Sequence, residues 1–592
     1  MPPPAQARQV EKNSILASVI GKAGAVCTLL GLSLVVFTYR RSLTPLYGSV
    51  PTELHLNKVV WIACIIGSFA PTVSISYAAF AAGVLLCLMP NSAYWAAVYT
   101  GRMGDPVWGP VVVHIMVLLP VLALGTSIMT LQDLWPVFSR LRSVPESQVI
   151  LYVGSLILVI WTISPLLYSP VETSNASNTT VPDSSPATSS NQSLMRLILL
   201  PLIPMLVSTI LQPPTLPKPL GEPYLHPAYP LRIISSVRSS YSGVVLVGEV
   251  LPPIGDKPAL GAVHSLRYLR AGHSLLGGAW IGEAAILGRH DSDPVGLDEA
   301  GEPVGDSMYH AFMLQDAARL FEREGGKKRE NALVIGLGTG VAASSLIRSN
   351  VSTTIVEIDP AVYEAARRFF AFPEPGPGKV FIKDARTWVR EHRRERESAT
   401  RLGDQAGHAD ETEPNMFDIV LHDVFTGGTM PSHVFTQQFW NDTKALMSSD
   451  GILAVNFAGQ LDSEPARAII MTLLSTFDTC RAFCDEVSPD EQAKSEFHNW
   501  VFFCSPSSAL LTLRAPRSSD YFGSVQRAQI LNTLQQREFD LKSLTEDILE
   551  EQRDQYILTD ARNPLGKWQE KEALSHWRIM REVFPNAVWE TY

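Results

Sequence analysis

The chain has 592 residues, enough for several domains, with 46% apolar and 18% charged residues. Its net charge of −10 argues against a nucleic-acid partner, which needs a basic surface. Six cysteines make no disulfide framework. Cys27, Cys64 and Cys87 lie in apolar runs as small core residues, and Cys480 and Cys484 have no Cys or His pair at metal-ligand spacing, so no metal is expected.

Residues 1–211 contain five apolar runs of the length that crosses a bilayer, about 20 residues each. They are 23–39, 62–88, 107–131, 149–168 and 197–211, and the second holds Pro71, which predicts a kink. The first is too long for a cleavable signal and is followed by Arg40 and Arg41, which read as a stop-transfer flank. Residues 171–195 lack Lys and Arg and carry sequons at Asn175, Asn178 and Asn191, so this loop is expected on a lumenal or extracellular face. Arg40, Arg41 and Lys58 share one loop and Arg140 and Arg142 another, both on the opposite, cytosolic side. A multi-pass integral membrane protein with a cytosolic catalytic domain is the expectation. His114 is almost the only ionisable residue within the spans, so the lipid bilayer is a partner for anchoring rather than a transport route.

Residues 212–230 are a proline-rich linker. A small β-domain is predicted over 231–300, with strands at Gly243–Val250 and Ser265–Leu269. Residues 301–592 alternate strand, glycine turn, helix and strand, which predicts an α/β Rossmann-like domain. Residues 391–415 are dense in Arg, Glu, Asp and Gly and are predicted to be a mobile insertion.

The chemistry concentrates at the strand ends of that domain. Ala332–Ile335 is a buried-strand run, followed at once by Gly336, Gly338 and Gly340 and then by the helical composition of Val341–Ile347. Such a turn lets the backbone approach a ligand and offers the free N–H groups of a helix start. A second strand, Thr354–Ile358, carries Glu357 twenty-one positions past Gly336, where a carboxylate accepts hydrogen bonds from ribose hydroxyls. A third, Lys379–Ile382, leads into Asp384 and Ala385, and a fourth, Phe417–Leu421, into Asp423. Ligands of open α/β sheets bind beyond the carboxyl ends of the strands, so Glu357, Asp384 and Asp423 point to one crevice. A nicotinamide dinucleotide fits less well, because Val341 stands where the third glycine of G-x-G-x-x-G belongs.

From Tyr229 onward the chain resembles the spermidine/spermine synthase family of the S-adenosylmethionine-dependent methyltransferase superfamily. The resemblance rests on V-I-G-L-G-T-G at 334–340, V-E-I-D-P at 356–360, K-D-A-R at 383–386 and F-D-I-V-L-H-D-V-F at 417–425. S-S-Y-S at 239–242, Tyr309-His310 and L-T-D-A-R-N-P at 558–564 complete it. It implies a β-domain ahead of the nucleotide-binding sheet, Glu357 on the ribose, Asp384 at the adenine amino group, Ala385, Tyr309 and His310 among the cofactor-binding residues, and Asp423 as catalytic base. The co-substrate it implies is S-adenosylmethionine or its decarboxylated form, with a small-molecule amine as acceptor.

Three departures bear on the acceptor. Thr339 replaces the acid usual in the glycine loop, Thr426 replaces the second carboxylate of the family's D-x-x-D gate, and Ser242 replaces a glutamine. Loss of the acids weakens recognition of a diamine. The resemblance nevertheless implies aminopropyl transfer to an amine by a membrane-anchored transferase, and that is the leading expectation. Methyl transfer to another acceptor is the alternative, and a non-catalytic nucleoside- or polyamine-binding sensor is the third reading. His422 precedes the strand-end acid and should face the other side of the sheet.

Overall fold

The computed structural model describes residues 30–69, 75–125, 146–167, 202–251 (without 204 and 208), 265–323 (without 288 and 290–295), 330–406, 416–424 and 428–592 (without 546, 547 and 549). The chain divides into two compact units, Met1–Thr215 and Leu216–Tyr592.

The first unit is helical. Residues 30–47 form one helix, followed by Ser49–Glu53, Leu56–Phe69 and Ile75–Arg102. Helical residues 108–125 come next, interrupted by a π-helical stretch at His114–Leu118, and then Glu146–Leu167. The described residues of 202–210 are helical too. Small residues let the helices touch: a Cβ on Gly83 would lie 2.7 Å from the Leu158 side chain, and one on Gly154 3.2 Å from the Gly83 carbonyl. His114 is buried and satisfied, with Nδ1 2.9 Å from the Tyr39 hydroxyl and Nε2 3.0 Å from the Thr52 carbonyl.

These helices differ from the five predicted spans. The run 62–88 is not one helix but belongs to two, Leu56–Phe69 and Ile75–Arg102, with Pro71, which has no N–H to donate, in the sequence between them. Arg40 and Arg41 do not flank the first helix but lie inside it, and Arg40 pairs with Glu53 at 3.4 Å. Among the described residues one helix, Phe80–Arg102, is long and apolar enough to cross a membrane. Trp108–Leu124 and Ser147–Val159 are shorter apolar helices. Residues 126–145 and the sequon loop 171–195 lie outside the described residues.

In the second unit an antiparallel sheet comes first. Its strands are β1 (Tyr224–Leu225), β2 (Leu231–Ser239), β3 (Gly243–Val250), β4 (Leu266–Ala271), β5 (Ser274–Ile281), β6 (Gly296–Leu297) and β7 (Pro303–Ser307), in the order β1-β2-β3-β4-β5-β7-β6. The β-domain therefore outruns the predicted 231–300 at both ends. The proline-rich segment 212–230 is not a free linker either: β1 pairs with β2, and the Leu216 N–H donates to the Tyr592 carbonyl at 2.7 Å.

The second sheet contains β8 (Asn331–Ile335), β9 (Ser352–Glu357), β10 (Val380–Ile382), β11 (Phe417–His422), β12 (Met447–Gly459), β13 (Thr479–Cys484), β14 (His498–Ser505) and β15 (Glu538–Phe539). The order is β10-β9-β8-β11-β12-β14-β13-β15, parallel from β10 to β12 and antiparallel beyond. The strands are near-continuous apolar runs because helices cover both faces. One core holds Leu333, Val420, Trp440 and Phe457, and the other Val334, Ile355, Leu421 and Phe503.

The predicted insertion 391–415 is corrected in its first part. Residues 391–406 continue the helix Ala385–Ala406, because their charges find partners: Arg393 bonds Glu397 one turn on and Asp442 on the next helix. Residues 407–415 lie outside the described residues. Of the six cysteines, Cys480 and Cys504 face each other in the β13–β14 register and form a disulfide, a pairing that the sequence spacing of 24 did not announce.

Candidate active site

The glycine turn joins β8 to the helix Val341–Arg348, with Gly336, Gly338 and Gly340 all at positive φ, from 57 to 81°. Two of them permit close approach of the protein to itself. A Cβ on Gly336 would lie 1.9 Å from the Asp423 carbonyl oxygen, and one on Gly338 2.7 Å from the Leu276 carbonyl of β5. The turn is thus clamped between the end of β11 and the β-domain. Thr339 is buried, with its hydroxyl against Gly277.

Glu357 ends β9 and is buried beside this turn. Its Oε2 accepts the Leu337 N–H at 2.9 Å and its Oε1 the Asp359 N–H at 2.8 Å. Burial pushes its carboxyl up to about 7, against the pull of those backbone N–H groups. Asp359 has a structural task. Its Oδ1 caps the helix Pro360–Phe369, and its Oδ2 accepts from the hydroxyls of Ser239 and Ser242, which accounts for the serine of the S-S-Y-S segment.

Asp423 follows β11, and its amide donates to the Ile335 carbonyl at 2.8 Å. Its carboxylate accepts Gln315 Nε2 at 3.0 Å on one oxygen and Asn456 Nδ2 at 2.9 Å on the other. An ionised carboxylate only accepts, so both amides must turn their NH2 groups to it. That leaves Gln315 Oε1 and Asn456 Oδ1 buried without a partner among the described residues. Burial raises the Asp423 carboxyl above its usual range, the two amides acting the other way. The carboxylate and the two amide oxygens beside it are three acceptor groups, suited to a ligand that brings N–H donors.

The other predicted residues are placed unevenly. Asp384 caps the helix that begins at Ala385: its Oδ1 accepts the Thr387 N–H and hydroxyl at 2.9 Å, and its Oδ2 lies 2.8 Å from His433 Nε2. The bond to His433 is the main cause that lowers its carboxyl to about 2. Ala385 is half-buried. Tyr309 stands at the N-cap of the helix His310–Leu314 and sets its ring edge-on to Phe312, with centroids 5.9 Å apart. His310 is exposed, so the structure does not bring it into the acceptor cluster. Thr426 lies outside the described residues. His422 faces away from Asp423 as expected, buried among Phe435, Phe439 and Trp440, and burial drops its imidazole to about 3. The terminal L-T-D-A-R-N-P segment is a brace: Asp560 bonds Arg386 at 2.5 Å and Thr436 at 2.7 Å.

No protein-family model matches the chain. It is 28% identical over 601 residues to an N-terminal histidine N-methyltransferase of Emericella nidulans, covering 98% of each protein. A polyamine aminopropyltransferase of Vibrio vulnificus is 29% identical over 204 residues, 34% of this chain and 55% of that one. Among solved structures, a probable spermidine synthase of Corynebacterium glutamicum matches 53% of this chain and 92% of its own at 13% identity, with a TM-score of 0.34. The C-terminal unit is a Rossmann-like methyltransferase fold, and S-adenosylmethionine is its co-substrate.

The residues of this methyltransferase fold suit that co-substrate. Glu357 has lone pairs left for two ribose hydroxyls after its two backbone bonds, and the orphaned amide oxygens belong to the residues that hold Asp423 beyond the end of β11, two strands away. Sequence reasoning missed Gln315, Asn456 and His433. The one signal for Asn456 was a lone amide in the apolar run Ile452–Phe457; Gln315 and His433 lie far from Asp423 and Asp384 in sequence and carried none.

Proposed function

We propose that the chain methylates a nitrogen of an N-terminal histidine, taking the methyl group from S-adenosylmethionine. The observation that carries this reading is the Asp423 carboxylate held by Gln315 and Asn456, with both amide oxygens free to receive N–H groups. The relative from Emericella nidulans supports the acceptor class, because its likeness extends over 98% of both chains, whereas the aminopropyltransferase matches only a third of this one. Loss of the gate acid at Thr426 also weighs against a diamine acceptor.

S-adenosylmethionine supplies a methyl group on a positively charged sulfur. The protein's part is to hold acceptor and donor in line and to exclude water. Glu357 binds the ribose. Gln315 Oε1 and Asn456 Oδ1 orient the acceptor nitrogen by its N–H bonds. A lone pair on the acceptor nitrogen forms the N–C bond as the S–C bond breaks, the S–C electrons staying on sulfur, and the cation so formed gives up an N–H proton to Asp423, whose raised carboxyl makes it a better base. S-adenosylhomocysteine and the methylated histidine leave.

The test offers the full-length protein both S-adenosylmethionine and its decarboxylated form, with peptides bearing histidine first or internally, putrescine and spermidine. A gain of one methyl on the histidine-first peptide alone supports the proposal. An aminopropyl gain on a diamine, or no transfer at all, overturns it.

We further propose that the N-terminal unit lies in a lipid bilayer. Its helices expose apolar residues at helical spacing: Trp61, Ile62, Ile65 and Ile66, then Trp108, Val112, Ile115 and Met116, then Leu202, Met205, Leu206 and Ile210. Water-facing surfaces do not carry such stripes. The sequons and the Lys/Arg bias of the sequence support a lumenal or extracellular side for residues 171–195 and a cytosolic catalytic unit. One observation favours the reverse for the catalytic unit: its Cys480–Cys504 disulfide, a bond that persists in oxidising compartments.

A further inference from the structure

Beyond the substrate crevice, the antiparallel part of the second sheet gathers a different chemistry. Cys484 ends β13, Asp485 follows it, and His498 begins the neighbouring β14. Backbone pairing fixes them: the Asp485 N–H donates to the Asn499 carbonyl at 2.9 Å, and Cys484 stands opposite Trp500. Among the described cysteines of this unit Cys484 is the free thiol, since the other two form the disulfide.

One ligand atom from each of the three residues lies within 4.8 Å of the others. The separations are informative. Cys484 Sγ is 3.8 Å from Asp485 Oδ1, and that oxygen is 3.4 Å from His498 Nδ1. The histidine stands among carboxylates, with Nδ1 3.4 Å from Asp485 and Nε2 3.4 Å from Glu486 and 3.7 Å from Glu496, all longer than the roughly 2.7–3.2 Å of an N–H···O bond. Ligands of one tetrahedral zinc, at roughly 2.0–2.3 Å from the metal, are separated by about 3.3–3.8 Å from one another. The other Asp485 oxygen accepts Asn499 Nδ2 at 2.9 Å, the kind of outer contact that orients a metal-binding carboxylate. The Arg537 guanidinium bonds the Asp485 backbone carbonyl rather than its carboxylate.

We propose that Cys484, Asp485 and His498 form a divalent-metal site, with zinc as its ion. A thiolate, an imidazole and a carboxylate together are a zinc-type set, whereas magnesium and calcium take oxygen ligands alone. Cys484 is fully buried, but Asp485 and His498 are partly exposed, so the ion has a route in and water completes its coordination. Binding forms a sulfur–zinc bond and releases the thiol proton to solvent. The ion would fasten β13 to β14 at the end of the sheet that also carries the active site.

The test uses the full-length protein, stripped with a chelator, equilibrated with zinc and dialysed. Elemental analysis should find one zinc per chain. Cobalt substitution should give a sulfur-to-cobalt charge-transfer band in the near ultraviolet. Cys484→Ser should lose both the band and the metal, and His498→Gln, at a partly exposed position, should lose the metal with its circular dichroism unchanged. No retained zinc, a cobalt spectrum without the thiolate band, or a full equivalent of zinc in either variant would overturn the proposal.

Discussion

Gly336 and Asp423 meet backbone to side-chain position: the space that a Cβ on the glycine would occupy lies 1.9 Å from the aspartate's carbonyl oxygen. The glycine turn and the proposed base are therefore registered by one contact. Gly336→Ala must both hold φ at +81° and displace β11. We expect a loss on the order of 2–5 kcal/mol in stability, from left-handed strain plus overpacking, read by chemical denaturation. An alanine variant of wild-type stability would show that the two strand ends move independently.

With Glu357 on the ribose as proposed, donor binding should depend on pH. In the ligand-free protein its raised carboxyl stabilises the fold when protonated; that contribution is complete below the unfolded value of 4.5 and is lost as pH rises through about 7. Ribose hydroxyls donate to the ionised form, so binding below that point must release a proton. Affinity for S-adenosylhomocysteine should rise from about pH 6 to about pH 8 and then level off. Glu357→Gln should flatten the profile, and Glu357→Ala should weaken binding about 5- to 150-fold, the effect of 1–3 kcal/mol from unpaired hydroxyls. Calorimetry in two buffers of different ionisation enthalpy measures the proton directly. Zero release at about pH 6 would mean that Glu357 is already ionised there.

Asp423→Asn keeps the shape and removes the base. Turnover should fall by about 10²- to 10⁴-fold while nucleoside affinity stays within a few-fold. Transfer at the wild-type rate would send the proton by another route.

Asn456→Asp sets a second carboxylate 2.9 Å from where Asp423 already sits. Like charges at that distance raise the carboxyl of the pair, so the base stays protonated to higher pH. The acid limb of kcat/KM against pH should move upward, with the high-pH plateau less affected. An unmoved limb would mean that Asp423 does not govern it.

The membrane orientation is tested by sugar. Glycosidase should shift the mobility of the wild-type protein, and changing Asn175, Asn178 and Asn191 to Gln should remove the shift. Sequons introduced between residues 407 and 415 should stay bare if the catalytic unit is cytosolic. Their modification would place that unit on the oxidising side, in agreement with its disulfide.

What the sequence determined by itself was local and periodic. Strand β8, its glycine turn, the helix Val341–Arg348 and Glu357 at the end of β9 were legible, because a buried parallel strand is a short apolar run and a turn at positive φ demands glycine. Where such strands end, their acids gather, and Asp423 followed from that rule. Short-range patterns misled where neighbours decide the outcome. The charged run after Glu391 extends a helix because Arg393 has Glu397 and Asp442 to bond. Tertiary structure alone decided which polar groups meet across the fold: Gln315 and Asn456 on Asp423, His433 on Asp384, Cys480 with Cys504, and Cys484 with His498. These partners lie 14 to 108 positions apart in the chain, and no spacing records which distant strands a sheet will set side by side.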